Sequence, residues 1–312
     1  MAPQKLVFIG TPKSDQMKNI ICIFLLIAAF KADAQKKGYK IYISGDMEGV
    51  TGVVTKEQLG PEGFEYEKFR EIYTNEVIAA IKGARKAGAS EIVISDSHGN
   101  GQNLLIDKLP KDVTIIRSWP RRFGMMGGID ETFDGVILLG YHTGTTNKEG
   151  VRAHTFSSAK LADVKVNSES FSEGAYSAMI AGNFNVPVIM VTGDDKVIEE
   201  TKSYLGNVEG SVVKWAMSFE SAKTLTPDSA YHLIEKTAAK AISRIKDFKP
   251  YKVNTPVTLE ITFKNYRPSE MLAYLPQVTR PTSHSIRFIA KTIIELADFV
   301  TFVTGYSNDL EP

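Results

Sequence analysis

Short apolar segments alternate with helical patterns along most of the chain. The apolar segments are residues 39–44 (YKIYIS), 91–95 (EIVIS), 113–118 (VTIIRS), 135–140 (GVILLG) and 186–193 (VPVIMVTG). Between them, residues 65–87 place apolar or small side chains at helical spacing and end at Gly88, and residues 172–181 predict another helix. Strands that are apolar on both faces and alternate with helices are typical of parallel sheets. We therefore predict an α/β fold with a mostly parallel sheet covered by helices.

The pattern changes after about residue 250. Residues 256–263 (PVTLEITF) and 283–290 (SHSIRFIA) alternate apolar and polar side chains, as half-exposed strands do. Helical segments lie between and after these strands. We predict an α/β metal-binding domain over residues 35–250, followed by a smaller C-terminal α+β lobe over residues 251–312.

The first 34 residues have a different character. From Met17 the chain has a lysine, eleven apolar residues and Ala-Asp-Ala before Gln35, an order typical of signal peptides. Eleven residues make about 16 Å of helix, too short for the ~30 Å core of a bilayer. The alternative is a buried helix of the fold. We expect residues 1–34 to be an extension and signal peptide, whose cleavage leaves a periplasmic or secreted protein without a membrane anchor.

Composition excludes some partners and chemistries. The chain is 43% hydrophobic and 23% charged, as soluble globular proteins are, and its net charge of +1 does not favour nucleic acid or an anionic membrane as a partner. Removal of residues 1–34 would change the net charge from +1 to −1 and remove Cys22, the only cysteine. The mature protein would then have no thiolate and no disulfide.

Side chains that can bind metals follow three of the predicted strands. Asp46 and Glu48 follow the first strand, Asp96 and His98 the second, and His142 a later one. Ligands of parallel α/β sheets bind beyond the carboxyl ends of the strands, so we expect these side chains to lie together. Imidazoles and carboxylates without thiolates suit zinc, and they are compatible with manganese or iron.

Asp46 and Glu48 lie two residues apart, and in extended chain their side chains point the same way. Their repulsion is relieved if they bind a cation. A carboxylate can also bridge two ions, and two ions roughly 3.5–4 Å apart polarise a carbonyl or phosphoryl oxygen. Taken alone, the pair could equally be solvated turn residues.

Three other acidic residues at strand ends have alternative roles. Asp96 either orients an imidazole or caps the turn after its strand. Asp194 and Asp195 follow a strand too, but their sequence context favours the N-cap of the next helix.

Three more histidines complete the five in the chain. His154 lies in a polar loop twelve residues after His142. His232 and His284 have no acidic or histidine neighbours, and we expect them to be structural or surface residues.

Five segments, in this order, resemble the DppA-type D-aminopeptidases, the M55 family of zinc metallopeptidases. They are SGDMEGVTG, SDSHGN, GGIDETFDGVILLGYHTG, AHTF and VPVIMVTGDD. The resemblance extends from about residue 40 to the C-terminus. It implies a binuclear zinc aminopeptidase for short peptides with N-terminal D-residues, assembled as stacked rings (a decamer) around an internal chamber.

The resemblance also implies roles for particular residues. The implied metal ligands are Asp46, which both zinc ions share, and Glu48, His98, His142 and Glu173. His154 corresponds to the family's additional catalytic histidine, as acid/base, oxyanion stabiliser or nucleophile. From the residues alone, Glu173 is only an acid in the first turn of a helix, where the helix dipole favours it.

The chain departs from the family pattern in two places. Residues 155–172 show no recognisable match, and the signal peptide is unexpected because the well-known members look cytoplasmic. We therefore expect an extracytoplasmic substrate, such as a D-alanine-containing cell-wall fragment.

Two other functions use the same residue types. A dinuclear phosphoesterase would need basic groups near the metals, and Arg152 is the one nearby cation that the sequence indicates. The other alternative is a periplasmic metal- or peptide-binding protein without catalytic activity.

Overall fold

The computed structural model describes residues 38–306. The predicted signal peptide and Cys22 lie outside these residues, so cleavage before Gln35 stays a prediction. No helix in the described part of the chain has the length and apolar character needed to cross a membrane.

Twelve strands and six α-helices lie within residues 38–306. The strands are β1 (Tyr39–Gly45), β2 (Ala89–Asp96), β3 (Thr114–Ile116), β4 (Gly135–Tyr141), β5 (Leu161–Val166), β6 (Glu169–Ser170), β7 (Val188–Asp194), β8 (Glu209–Ser218), β9 (Ser221–Thr224), β10 (Val257–Phe263), β11 (Val278–Thr279) and β12 (Ser285–Ala290). The helices are α1 (Tyr66–Lys86), α2 (Glu173–Asn183), α3 (Asp195–Leu205), α4 (Pro227–Ser243), α5 (Tyr266–Leu272) and α6 (Ile293–Gly305). Every strand and helix bounded in the prediction is present, with ends shifted by at most two residues.

The first sheet has the strand order β3-β2-β1-β4-β7-β8-β9, and only β9 is antiparallel to its neighbour. Its central strands β4 and β7 are buried along their whole length, because helices cover both faces. Helices α1 and α4 pack on one face, while α2 and α6 contribute to the core on the other. The predicted α/β fold with a largely parallel sheet is confirmed.

The second sheet is antiparallel, with the order β11-β12-β10-β5-β6. Strand β10 alternates buried and part-exposed residues, as its sequence predicts. Its partner β5 comes from residues 161–166, almost 100 positions earlier in the chain. The boundary predicted near residue 250 therefore does not separate the two sheets. Pairing between segments so distant in sequence leaves no local signal.

Strands β2, β1 and β4 are neighbours in the first sheet and run parallel. Their carboxyl ends therefore meet at one edge, and the chain segments that follow them surround one region.

Candidate metal centre

The structure brings together six of the predicted site residues at this edge. They are Asp46 and Glu48 after β1, His98 after β2, His142 after β4, His154 in the loop before β5, and Glu173 at the start of α2. His154 is partly exposed and the other five side chains are buried. Buried carboxylates and imidazoles of this number need mutual neutralisation or a bound cation.

Asp46, Glu48 and His98 form one group of potential metal ligands. His98 Nδ1 lies 3.1 Å from Asp46 Oδ1 and 2.9 Å from Glu48 Oε2. One imidazole nitrogen thus faces two carboxylates, an arrangement that a tetrahedral cation such as zinc can complete.

Asp46, His142 and Glu173 form a second group, so Asp46 belongs to both. His142 Nε2 lies 3.4 Å from Asp46 Oδ2 and 3.5 Å from Glu173 Oε2. The two oxygens of Asp46 therefore face different imidazoles, as a carboxylate shared by two ions would.

His154 lies beside these two groups and is also within ligand range of them. Its Nε2 is 3.6 Å from Glu173 Oε1 and 3.9 Å from Glu48 Oε1, and its ring stacks on that of His142 with 4.1 Å between centroids. Glu48, His142 and His154 could therefore also hold an ion together.

In each of the three imidazoles, one ring nitrogen is hydrogen-bonded to a backbone carbonyl. A carbonyl only accepts, so that nitrogen carries a proton, and when the imidazole is neutral the other ring nitrogen has a lone pair facing the carboxylates. This is how metal-binding histidines are oriented. The bonds are from His98 Nε2 to Leu59 (2.7 Å), from His142 Nδ1 to Thr143 (3.0 Å) and from His154 Nδ1 to Arg152 (2.8 Å).

The electrostatics of the site favour cations. Burial lowers the pKa of His98, but Glu48 and Asp46 outweigh burial and hold that pKa well above its usual value. Glu173 and Asp46 likewise raise the pKa of His142 against the effect of burial. Burial raises the pKa of Glu48, yet the nearby His98 lowers it to well below its usual value. The carboxylates thus draw protons onto the imidazoles, and a divalent cation can displace those protons.

Asp46 differs from the other acids of the site. Its burial and the charge of Glu48 raise its pKa. Its Oδ2 and the Nε2 of His142 are both buried without a hydrogen-bond partner among residues 38–306, although they lie 3.4 Å apart. When His142 is neutral, as a metal ligand must be, its proton is on Nδ1 and two lone pairs face each other there. A cation bound by both atoms removes this conflict, so the residues fit a metal.

Two glycines allow the ends of β1 and β4 to approach this closely. A Cβ on Gly49 would overlap the carbonyl of Tyr141, and one on Gly140 would overlap the carbonyl of Asp46. Gly49 N also donates to the Gly140 carbonyl at 2.6 Å. Gly49 is therefore needed for the close approach of two backbone segments.

Asp96 makes no hydrogen bond with an imidazole in the described structure. Its carboxylate instead accepts from the backbone N–H groups of Asn103 (2.6 Å) and Leu104 (2.8 Å). Of the two roles predicted for Asp96, these contacts match the capping of the turn and not the orientation of an imidazole. Asp96 thus holds the loop that carries His98, because Asn103 Nδ2 also donates to the His98 carbonyl.

The helix N-cap predicted for Asp194 is confirmed. Its side chain accepts from Val197 N at 2.8 Å, at the start of α3. Its other oxygen accepts from Val151 N, also at 2.8 Å, so both carboxylate oxygens bond to backbone donors, and Asp194 is in none of the groups of potential metal ligands within residues 38–306.

Lys214 is a fully buried residue of the site region that sequence reasoning missed. Its Nζ donates to three carbonyls of the loop after β1, those of Glu48, Val50 (3.2 Å) and Val53 (2.6 Å). Burial lowers its pKa to about 8. The one available signal was a lysine in the apolar stretch VVKW, where a buried cation needs partners.

We expect Lys214→Met to weaken zinc binding about 10- to 100-fold, the range for groups that orient metal ligands. Methionine keeps most of the volume but leaves three buried carbonyls without their donor, which should also lower the free energy of unfolding by roughly 3 kcal/mol. Zinc affinity is measured by competition with a chelator. Lys223→Met, an exposed lysine on β9, is the matched control. A folded Lys214→Met protein with unchanged zinc affinity would contradict this role.

A cavity of about 950 Å³ opens onto the site. Asp46, Glu48, His98, His154 and Glu173 line part of it. The remaining wall is largely apolar, and α6 contributes part of it. Its apolar side chains include Trp119, Phe156, Tyr176, Val300 and Phe302. A cavity lined by these apolar side chains together with the site's carboxylates and imidazoles suits a small organic substrate.

Comparisons with known proteins agree with this geometry. The model of the M55 peptidase family, described as D-aminopeptidase, matches residues 39–302. A D-aminopeptidase of Bacillus subtilis (strain 168) is 31% identical over 257 residues, which are 82% of this chain and 93% of that protein. The solved structure of the Zn-dependent D-aminopeptidase DppA from Bacillus subtilis, described as a self-compartmentalizing protease, is similar with a TM-score of 0.81 and 30% identity. The similarity covers 86% of this chain and 99% of the DppA chain.

Proposed function

The chain belongs to the M55 family of D-aminopeptidases and is a metallo-aminopeptidase, and from that premise we propose that it uses two zinc ions to hydrolyse short peptides with an N-terminal D-residue. The observation that carries the proposal is Asp46, whose two oxygens face two separate groups of potential ligands.

In this proposal, Glu48 and His98 complete one zinc site with Asp46, and His142 and Glu173 complete the other. Bound zinc supplies polarisation of the scissile carbonyl and lowers the pKa of water. The zinc dependence stated for the similar solved structure and the mixed imidazole and carboxylate donors support zinc over the other metals. Manganese or iron would suit the same donors less specifically.

We assign general acid/base catalysis to His154. The Arg152 carbonyl holds the proton on Nδ1, so Nε2 is the ring atom that faces the carboxylates and the cavity. As water adds to the scissile carbonyl, Nε2 takes a proton from that water. It then gives the proton to the leaving nitrogen as the C–N bond breaks, which yields a carboxylic acid and an amine.

The location of the substrate and the assembly of the enzyme are further parts of the proposal. The predicted signal peptide supports export to the periplasm or medium, where D-alanine-containing cell-wall fragments occur. The description of the similar structure as self-compartmentalizing supports a closed oligomer, for which we propose the stacked-ring decamer.

One preparation tests these points. The exported protein is expected to begin at Gln35, to carry two zinc ions per subunit by elemental analysis, and to hydrolyse D-Ala-D-Ala faster than L-Ala-L-Ala. Light scattering of the same sample gives the subunit number. p-Nitrophenyl phosphate tests the phosphoesterase alternative. Metal binding without turnover of any of these compounds would contradict the proposal and favour a binding protein.

A further inference from the structure

A second cavity, of about 460 Å³, lies beside the catalytic site. His154 and Ser158 line this cavity and also the larger one. A peptide whose scissile bond lies at His154 therefore has a cavity on each side of that bond. The larger cavity contains the carboxylates of the metal centre, so the smaller one is open to the other end of the substrate.

The smaller cavity is cationic. Lys148, Arg152 and Lys264 line it, and none of its lining residues is an aspartate or glutamate. Lys264 Nζ donates to the Ser158 carbonyl at 2.5 Å, which places its charge beside the boundary between the cavities. Lys148 makes no ion pair within the described residues and is exposed. The charges of the lining residues favour an anionic group.

Arg152 is held in a fixed position in the wall of this cavity. Its Nη1 donates to Glu220 at 2.7 Å, and its guanidinium lies 4.8 Å from the centre of the Phe219 ring. Its Nε, however, is buried without an acceptor among residues 38–306. The guanidinium therefore keeps a fixed donor that is not used within the described structure.

Thr145 contributes a second unpartnered group. Its Oγ1 is buried and makes no hydrogen bond with another described residue, and Thr145 also lines the cavity. A hydroxyl and a guanidinium N–H that lack acceptors are both satisfied by the oxygens of a carboxylate. Two such groups in the wall of one cationic cavity are a second observation, independent of the charges, that points to an anion.

We propose that this cavity binds the C-terminal carboxylate of the substrate, which makes the enzyme selective for short peptides with a free C-terminus. The inference rests on the proposed function, because it places the scissile bond at His154. The lysines attract the carboxylate, while Arg152 and Thr145 provide hydrogen-bond donors. Peptides blocked at the C-terminus lose these interactions.

The test compares D-Ala-D-Ala with its C-terminal amide. For the wild-type protein, kcat/KM is expected to be about tenfold or more higher for the free acid, the ratio for losing one hydrogen bond to a charged group. Lys264→Met and Lys148→Met are expected to bring this ratio towards one, mainly by raising KM for the acid. Lys246→Met, an exposed lysine outside both cavities, is the control and should keep the wild-type ratio.

Equal turnover of acid and amide by the wild-type protein would overturn this subsite and leave the aminopeptidase activity standing. If Lys264→Met and Lys148→Met slow the turnover of acid and amide equally, this too would overturn the subsite and leave the aminopeptidase activity standing. If neither peptide is hydrolysed, the proposed function fails, and titration calorimetry on the wild-type protein then decides the subsite. Tighter binding of the acid than of the amide would support it. Tighter binding of inorganic phosphate than of the acid would assign the cavity to a free anion and overturn it.

Discussion

Asp46→Ala is expected to lose both zinc ions and to lower kcat/KM by at least about a thousandfold, since metal ions supply several kcal/mol of transition-state stabilisation. Asp46 Oδ1 lies 3.1 Å from His98 Nδ1 and Asp46 Oδ2 lies 3.4 Å from His142 Nε2, so this carboxylate belongs to both proposed zinc sites. In the proposed assignment, loss of any other ligand removes one donor from one zinc site. Loss of Asp46 removes a donor from both.

Elemental analysis of the dialysed Asp46→Ala protein should therefore find no zinc, where we expect two ions per subunit in the wild-type protein. The fold should persist, because the substitution removes a buried acid that lacks a full set of partners. Circular dichroism checks this. Asp107→Ala, at an exposed position, is the matched control and should keep both ions. A full zinc complement in Asp46→Ala would refute the shared-ligand assignment.

His154→Ala is expected to lower kcat strongly while both proposed zinc ions stay bound. General acid/base groups contribute about 10²- to 10⁴-fold, so kcat should fall in that range with little change in KM. The five proposed ligands do not include His154, and its Nδ1 bonds only to the backbone of Arg152. Its ring stacks on His142, and its removal leaves the donors of both groups in place.

The measurement is zinc content together with kcat on the same sample. His232→Ala, on the exposed face of α4, is the control and should match the wild-type protein in both. Loss of zinc from His154→Ala would show that the group formed by Glu48, His142 and His154 binds an ion and that His154 is a ligand.

Much of the candidate site was predictable because its signals are local. Asp46, Glu48, His98 and His142 each follow a strand that the apolar pattern marks, and parallel strands bring their carboxyl ends to one edge. Glu173 was different. As the first residue of α2 it looks like any acid near a helix N-terminus, and only the resemblance to the family singled it out.

Other features depended on contacts between distant segments. Lys214 contacts the loop after β1 across more than 160 positions of sequence, and nothing near either segment specifies the other. The cationic cavity likewise joins the loop after β4 to Lys264, the residue after β10, because β5 pairs with β10.

The sequence by itself determined the α/β alternation, the first sheet's strands and the acidic and histidine residues at their ends, since hydrophobic periodicity and strand direction are properties of short segments. The tertiary structure alone decided which oxygen of Asp46 faces which imidazole, why Gly49 must be glycine, and that Asp96 holds a loop. These outcomes depend on the packing of segments far apart in the chain, where distances of a few tenths of an ångström separate a contact from a clash.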